Sequence, residues 1–529
     1  MSVLSLSSSF LRELQRNKSL YAILLLGLTA YSVVRYIRSP YRKLPPGPKG
    51  YPIIGNFLNI GEKQWHVFTE WKKVYGDFVY FKALGQPMLV LNTQKAAADL
   101  LDRRAANYSD RPPHIVACEI LTGGLILGFT RFGDLWRRMR KAGNEGLHKG
   151  AVPRYYHKQT IESITLALGM VTEPRLWDRH VRRTSASTTL GIVYDAPTIA
   201  SEHDPHVRRI NEFVARLTRA ALPGAHFVDF FPFMKYIPSR FAKWKREAEE
   251  WCVRDSAMFE SLLSGVRSRM EKEGGLVSLS ATLIKDQARV NLSEHQNAWV
   301  AGSVYSAGTE TTASTMAWWM LAMATNPDAQ KRAQAEIDTV VGRSRLPSFA
   351  DFEHLPYTRA MVKEVLRWRP VVPVGSPHRS IKDDWYEGHF IPAGTVCITN
   401  VWAINHDTTI YGEDAALYNP SRHLDEHGRL APSPPDTKEQ SHATYGFGRR
   451  ICLGMHVANN ALFMYIAMVV WAMNIEPITG ANGKPQDLDV YADIDDGLVV
   501  KPPPYEYKIT PRFPDAAAML EQAKETMGN

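Results

Sequence analysis

The chain has 529 residues, 45% of them hydrophobic, which is enough to bury a large core and, by length alone, leaves room for more than one domain. Its four cysteines, Cys118, Cys252, Cys397 and Cys452, are scattered and none has CxxC spacing; this excludes a disulfide framework and points to a reducing compartment. A formal charge of +9 is modest over this length, and no basic run alternates with aromatics, so a nucleic-acid groove is excluded and a membrane surface or an acidic partner accounts better for the excess.

An N-terminal segment, 1–19, leads into the uncharged run Leu20 to Val34, after which come Arg35, Tyr36, Ile37 and Arg38. A bilayer core takes about 20 apolar residues, so we expect a transmembrane anchor over 20–37 whose flanking basic and aromatic residues reach the interfaces. A cleaved signal peptide is the competing reading, but no small-x-small cleavage site precedes the cationic segment. Basic residues favour the C-terminal flank, which places the bulk of the chain in the cytosol. Leu44-Pro45-Pro46-Gly47-Pro48 then makes a stiff, extended hinge within 38–50. Sequons stand at Asn17, Asn107 and Asn291.

From residue 51 a single catalytic domain is expected to continue to 529. Phe78 to Phe81 and Met88 to Leu91 read as short strands around a turn at Gly85, and most of the chain beyond them has helical periodicity. Trp136 and Arg140 share a helix face at i, i+4, where solvated arginines on an amphipathic helix are the plain alternative. Between residues 200 and 290, helices containing Trp244, Trp251 and Met258 and a loop at Gly274-Gly275 are expected. Ser293 and Gln296 form a capping box that opens a helix reaching Asn326-Pro327, roughly 32 residues and close to 50 Å at about 1.5 Å per residue. In its middle, Ala307-Gly308-Thr309-Glu310-Thr311-Thr312 sets an acid and alcohols where a buried helix centre is ordinarily apolar, a local rule broken in the manner of functional sites. Glu364 and Arg367 are i, i+3 neighbours on a helix that Arg369-Pro370 ends; by default such a pair is a solvated surface bridge. Gly388 to Ile398 is strand-like, and Gly497-Leu-Val-Val with Tyr507-Lys-Ile-Thr reads as a terminal hairpin.

Tyr445 to Asn460 has one sulfur, Cys452, with glycines at 446, 448 and 454 that allow tight turns and close approach to something bulky. A helical pattern starts just after it, so peptide N–H groups would stabilise a thiolate, and Arg450 supplies a cation for carboxylates on the same ligand. A thiolate so presented can bind iron, and haem has both iron and carboxylates. A dinucleotide fingerprint fails here, because Ile451 stands where its third glycine belongs.

Tyr445-x-x-Gly448-x-Arg450-x-Cys452-x-Gly454 resembles the cysteine loop of cytochromes P450, with Tyr445 in place of the family's usual Phe. The resemblance spans about Leu44 to Arg512 and is closest to membrane-bound fungal enzymes of secondary metabolism. It implies a mainly α P450 fold with a minor β region behind one N-terminal transmembrane helix, and haem b with Cys452 as axial ligand. It further implies that Trp136, Arg140, His378 and Arg450 reach the haem propionates, and that Ala307 and Gly308 line an oxygen pocket, where the glycine permits a widened turn. Glu310, expected to be buried, and Thr311 would relay protons. Glu364, Arg367 and Arg422 would form a buried structural set, next to His423, where the family often has Phe or Trp. The implied activity is a monooxygenase reaction on a lipophilic terpenoid or polyketide intermediate with O2. No flavin or NADPH module accompanies the motifs, so electrons are expected from a separate NADPH–cytochrome P450 reductase, with cytochrome b5 as a second candidate donor, at the endoplasmic reticulum membrane. A P450-type isomerase or dehydratase, or a haem-binding protein without turnover, would keep the cysteine loop but has no need of the acid and alcohol at 310 and 311.

Overall fold

The computed structural model describes residues 18–528 apart from 202, 223, 481, 482 and 498; the segment 1–17, with its sequon at Asn17, lies outside the described residues. The first element is an α-helix, Lys18–Arg38, and every side chain described on it, from Ala22 onward, is exposed. A short 3-10 turn over Pro40–Lys43, capped by Ser39, ends it. The proline-rich hinge packs against the body. The Tyr80 amide donates to the Pro46 carbonyl at 2.9 Å, and a Cβ on Gly47 would lie 1.7 Å from the Tyr80 carbonyl oxygen, so the strap is seated on the first strand and only glycine fits there.

That strand, Phe78–Ala83, pairs antiparallel with Gln86–Leu91, which runs parallel to Val396–Thr399; His378–Arg379 completes a four-stranded sheet. The stretch expected as one strand from Gly388 divides, because Gly394 turns the chain at φ 80°. His389–Ile391 pairs back on Asp384–Tyr386, and only Val396–Thr399 joins the larger sheet. The expected terminal hairpin does not form. Tyr507–Pro511 pairs instead with Met473–Pro477, and Val500–Lys501 pairs with Ile494–Asp495. Sequence proximity suggested the wrong partner; the apolar faces of Ile475 and Ile509 decide the pairing by joining one core.

Everything else of weight is helical. Lys243–Glu273 carries Trp244, Trp251 and Met258 and stops at Gly274. The long helix runs Glu294–Thr325, 32 residues, with Ser293 and Gln296 each bonded to the other's backbone as a capping box. It threads two cores. Residues 298–301 and Tyr305 belong to one, with Phe213 and Phe259; residues 313 and 316–324 belong to the other, with Trp368 and the helix Met455–Ala472. The turn between them belongs to neither. Met455–Ala472 is, among the described residues, the one helix long and apolar enough to cross a membrane, and 72% of it is buried inside the body. It is hydrophobic all round because core surrounds it.

Candidate active site

The middle turn of the long helix is where the two cores leave a gap. Ala307 is exposed although its neighbours Tyr305, Ser306 and Thr309 are buried, and Gly308, Glu310 and Thr311 are partly accessible. The Thr311 hydroxyl donates to the Ala307 carbonyl at 2.8 Å, and Thr309 faces away, donating to Tyr305 at 2.9 Å. Two expectations change here. Glu310 is half-buried and makes no hydrogen bond or ion pair among the described residues, because it stands at the gap and not inside either core. The helix also runs without a widened turn. Gly308 serves a crossing of helices instead: a Cβ there would lie 2.9 Å from the Thr189 methyl of the helix Trp177–Tyr194.

The cysteine loop is built by its glycines. Gly446 and Gly448 have φ of 77° and 61°, and a Cβ on Gly448 would lie 2.1 Å from the Leu101 carbonyl oxygen. A 3-10 turn, Gly448–Arg450, brings the Cys452 amide to within 2.8 Å of the Tyr445 carbonyl, and the helix starts at Met455. Cys452 presents accessible surface, yet burial among protein atoms raises its thiol pKa, against the opposing pull of the Gly454 N–H and Arg140. A side chain that is both accessible and surrounded lines an internal hollow. Next to it, a Cβ on Gly143 would meet Leu453 at 2.7 Å and Val300 at 3.6 Å, so the cysteine segment and the long helix converge on the helix Asp134–Leu147. Tyr445 uses the hydroxyl that Phe would lack: it donates to Asn459 at 2.6 Å.

Cations gather beside the loop. The Arg450 guanidinium lies 4.0 Å over the Trp136 ring and donates to the carbonyls of Ser109 and Thr130, both at 2.8 Å. Arg140 donates to the Ile451 carbonyl. Sequence reasoning missed a third member, Arg111, which donates to the carbonyls of Gly128, Ser376 and Pro377 at 2.9, 2.7 and 2.6 Å. Burial lowers the pKa of all three; Arg111 and Arg140 repel one another, and both repel Arg450. The carboxylate nearest Arg111 and Arg450, Asp110, is itself clasped by Arg131. The pocket therefore has surplus buried positive charge and calls for an anion. His378 is buried close to Arg111 and Arg450. Its Nδ1 donates to the Tyr108 carbonyl at 2.7 Å, and burial, with Arg111 nearby, lowers its pKa.

Behind the loop, Glu364 and Arg367 are both 0% exposed, joined by two bonds of 2.8 Å, so the pair is a buried one and not a surface bridge. Arg422 adds a bond of 3.0 Å and His423 one of 2.8 Å to the same carboxylate. Burial opposes ionisation of Glu364, but Arg367 and then His423 hold its carboxyl well below the usual range. Asn405, also missed from the sequence, carries this set to the cysteine loop. It bonds the Arg367 carbonyl at 3.1 Å, Thr444 at 3.0 Å and the Ala443 amide at 2.8 Å.

One thiol in an internal hollow, surplus cations for carboxylates beside it, and a loop cut to glycine clearances make a donor set that fits haem. The cytochrome P450 family model matches residues 45–509. A cytochrome P450 monooxygenase of Armillaria gallica is 61% identical, covering 95% of this chain and 96% of its own. Cytochrome P450 monooxygenase 58 of Postia placenta is 46% identical over 92% of each chain. Cytochrome P450 monooxygenase iboC of Amanita muscaria is 40% identical over 92% of this chain and 94% of its own. The chain belongs to the cytochrome P450 family and is a monooxygenase with haem held by a cysteine thiolate.

Proposed function

We propose that the protein inserts oxygen into a lipophilic terpenoid or polyketide intermediate of fungal secondary metabolism, with electrons from NADPH through a partner reductase, while held on the endoplasmic reticulum membrane. The observation that carries the reading is the gap in the long helix, where an acid and an alcohol stand partly open between two apolar cores. Haem with a thiolate ligand supplies oxygen activation and transfer to a C–H bond. In this reading the chain's own side chains divide the work. Cys452 gives the thiolate, and Arg111, Arg140 and Arg450 neutralise the two carboxylates. Thr311 gives its proton to the Ala307 carbonyl, which leaves its oxygen lone pairs to hold a water, and the half-open Glu310 carboxylate is placed to bring protons from outside.

Thr311→Ala should therefore bind haem and consume NADPH but release mostly hydrogen peroxide, with product formation down by about 10²- to 10⁴-fold, the usual worth of positioned proton transfer. NADPH, peroxide and product measured together with a reductase decide it. Product at wild-type coupling would remove the proton role and reopen an isomerase, dehydratase or non-catalytic reading.

The membrane reading rests on two surfaces. On the helix Lys18–Arg38, Ile23, Leu25, Leu26 and Leu28 are 63–69% exposed, which water disfavours on all sides of a helix. A second apolar face carries Phe227, Phe233, Tyr236 and Phe241, each at least 67% exposed, interleaved with Lys235 and Arg240. Ile53 and Leu58 extend it, since the rings of Phe57 and Phe230 meet at 6.4 Å. Aromatic and basic residues together suit a lipid interface. Deleting residues 1–43 should leave protein that still floats in part with vesicles, and replacing Phe227, Phe233 and Phe241 by serine in that truncated chain should release it. Complete release by the deletion alone would confine the membrane contact to the N-terminal helix.

A further inference from the structure

The helix Trp177–Tyr194 contains a run of polar residues, Arg183-Thr184-Ser185-Ala186-Ser187-Thr188, in which every member is at most 5% exposed. Buried alcohols in a helix interior need partners, and here the partners tie this helix to three others. Arg183 and Ser187 bond Glu162 of the helix Tyr156–Thr172 at 2.8 and 2.5 Å. Thr188 bonds the Tyr465 hydroxyl on Met455–Ala472, the helix that comes after Cys452. Ser185, of this run, hydrogen-bonds the long helix, and it does so at the backbone of the middle turn: its hydroxyl donates to the Thr309 carbonyl at 2.5 Å and lies 3.3 Å from that of Gly308.

Those two carbonyls already face the amides of residues 312 and 313 along the helix. A bond from a neighbouring helix gives these carbonyls a second donor and ties this turn to its neighbour, while the ladder itself stays α-helical. With Thr311 holding the Ala307 carbonyl, hydroxyls hold the carbonyls of 307 and 309 and the one at 308 has Ser185 within reach. Gly308 makes the approach possible, since any Cβ would strike Thr189 one turn along from Ser185. We propose that Ser185 is a positioning residue for oxygen activation: it pins the Gly308–Thr309 backbone from behind, so that Glu310 and Thr311 keep their places at the open gap. The role rests on the proposed proton relay through those two side chains.

The test compares Ser185→Ala with Thr188→Val, which removes a buried hydrogen bond from the same helix without touching the long one. Both variants should keep haem and the thiolate spectrum. Ser185→Ala should raise amide hydrogen exchange over residues 308–313 about tenfold, the factor that answers to one ordinary hydrogen bond, and should lower product per NADPH several-fold with a matching rise in peroxide. Thr188→Val should show neither change. Unchanged exchange in Ser185→Ala overturns the pinning role whatever Thr311→Ala does, so it is distinguishable from failure of the relay. Raised exchange with wild-type coupling, or equal uncoupling in Thr188→Val, also overturns it.

Discussion

Glu364→Ala protein is expected to unfold more easily than the wild type by about 3–5 kcal/mol and to be recovered with little haem. The size of the loss comes from the charges it strands. Arg367, Arg422 and His423 all point at the Glu364 carboxylate, and no water reaches it at 0% exposure. Arg367 would keep the carbonyls of Asn405 and Ala415, both at 2.7 Å, but no counter-charge, and Arg422 would keep the partly exposed Asp414 carboxylate at 3.0 Å and the Tyr411 carbonyl. Because a domain's whole margin is about 5–15 kcal/mol, this loss takes much of it. The damage should spread to the cysteine loop through Asn405, which bonds Arg367 on one side and Ala443 and Thr444 on the other. Thermal unfolding and haem content per chain check it. Melting and haem content equal to wild type would mean that the cations find other partners and the carboxylate is dispensable.

Cys452→Ser should abolish the red-shifted Soret band of the ferrous–CO complex and reduce product to background, while its haem-free chain melts as the haem-free wild-type chain does. Its fold should survive because the loop is held by backbone bonds, such as that from residue 452 to Tyr445, and by glycine clearances, none of which uses sulfur. No other cysteine replaces it. Cys118 and Cys397 are buried, Cys118 with its thiol pKa pushed up to about 12 and Cys397 higher still, and neither has a glycine-built loop around it. Retention of a thiolate spectrum in the serine variant would remove Cys452 from the iron.

What the sequence made legible was mostly short-ranged. The capping box of Ser293 and Gln296 and the i, i+3 pair of Glu364 and Arg367 are encoded by residues a turn apart, and the structure has both. Burial is a different matter, since it depends on what arrives from elsewhere in the chain. Glu310 looked buried because it sits mid-helix, and only the division into two cores shows why it is not. Arg111 was invisible for the same reason: two of its acceptors, the carbonyls of Ser376 and Pro377, lie 265 and 266 residues away, and a carbonyl carries no sequence signal. His423 looked like a mere departure from an aromatic, and its bond to Glu364 gives it a polar role that pattern alone does not suggest. The terminal strands failed on pairing, where nearness in sequence was a poor guide.

The C-terminal helix Ala516–Gly528 rests against Tyr156–Thr172, which in turn backs the helix behind Cys452. Trp177 likewise bonds the carbonyl of Tyr505, 328 residues later. For a ribosome making this chain from the N-terminus, the parts that seal the structure are made hundreds of residues after the ones they close upon. Until residues 505–528 join it, the body made before them waits half-assembled, with apolar faces open. Long-range closures of that kind slow folding and lengthen exposure to aggregation. Yield in a foreign host should therefore be governed by chaperone supply more than by the strength of the promoter.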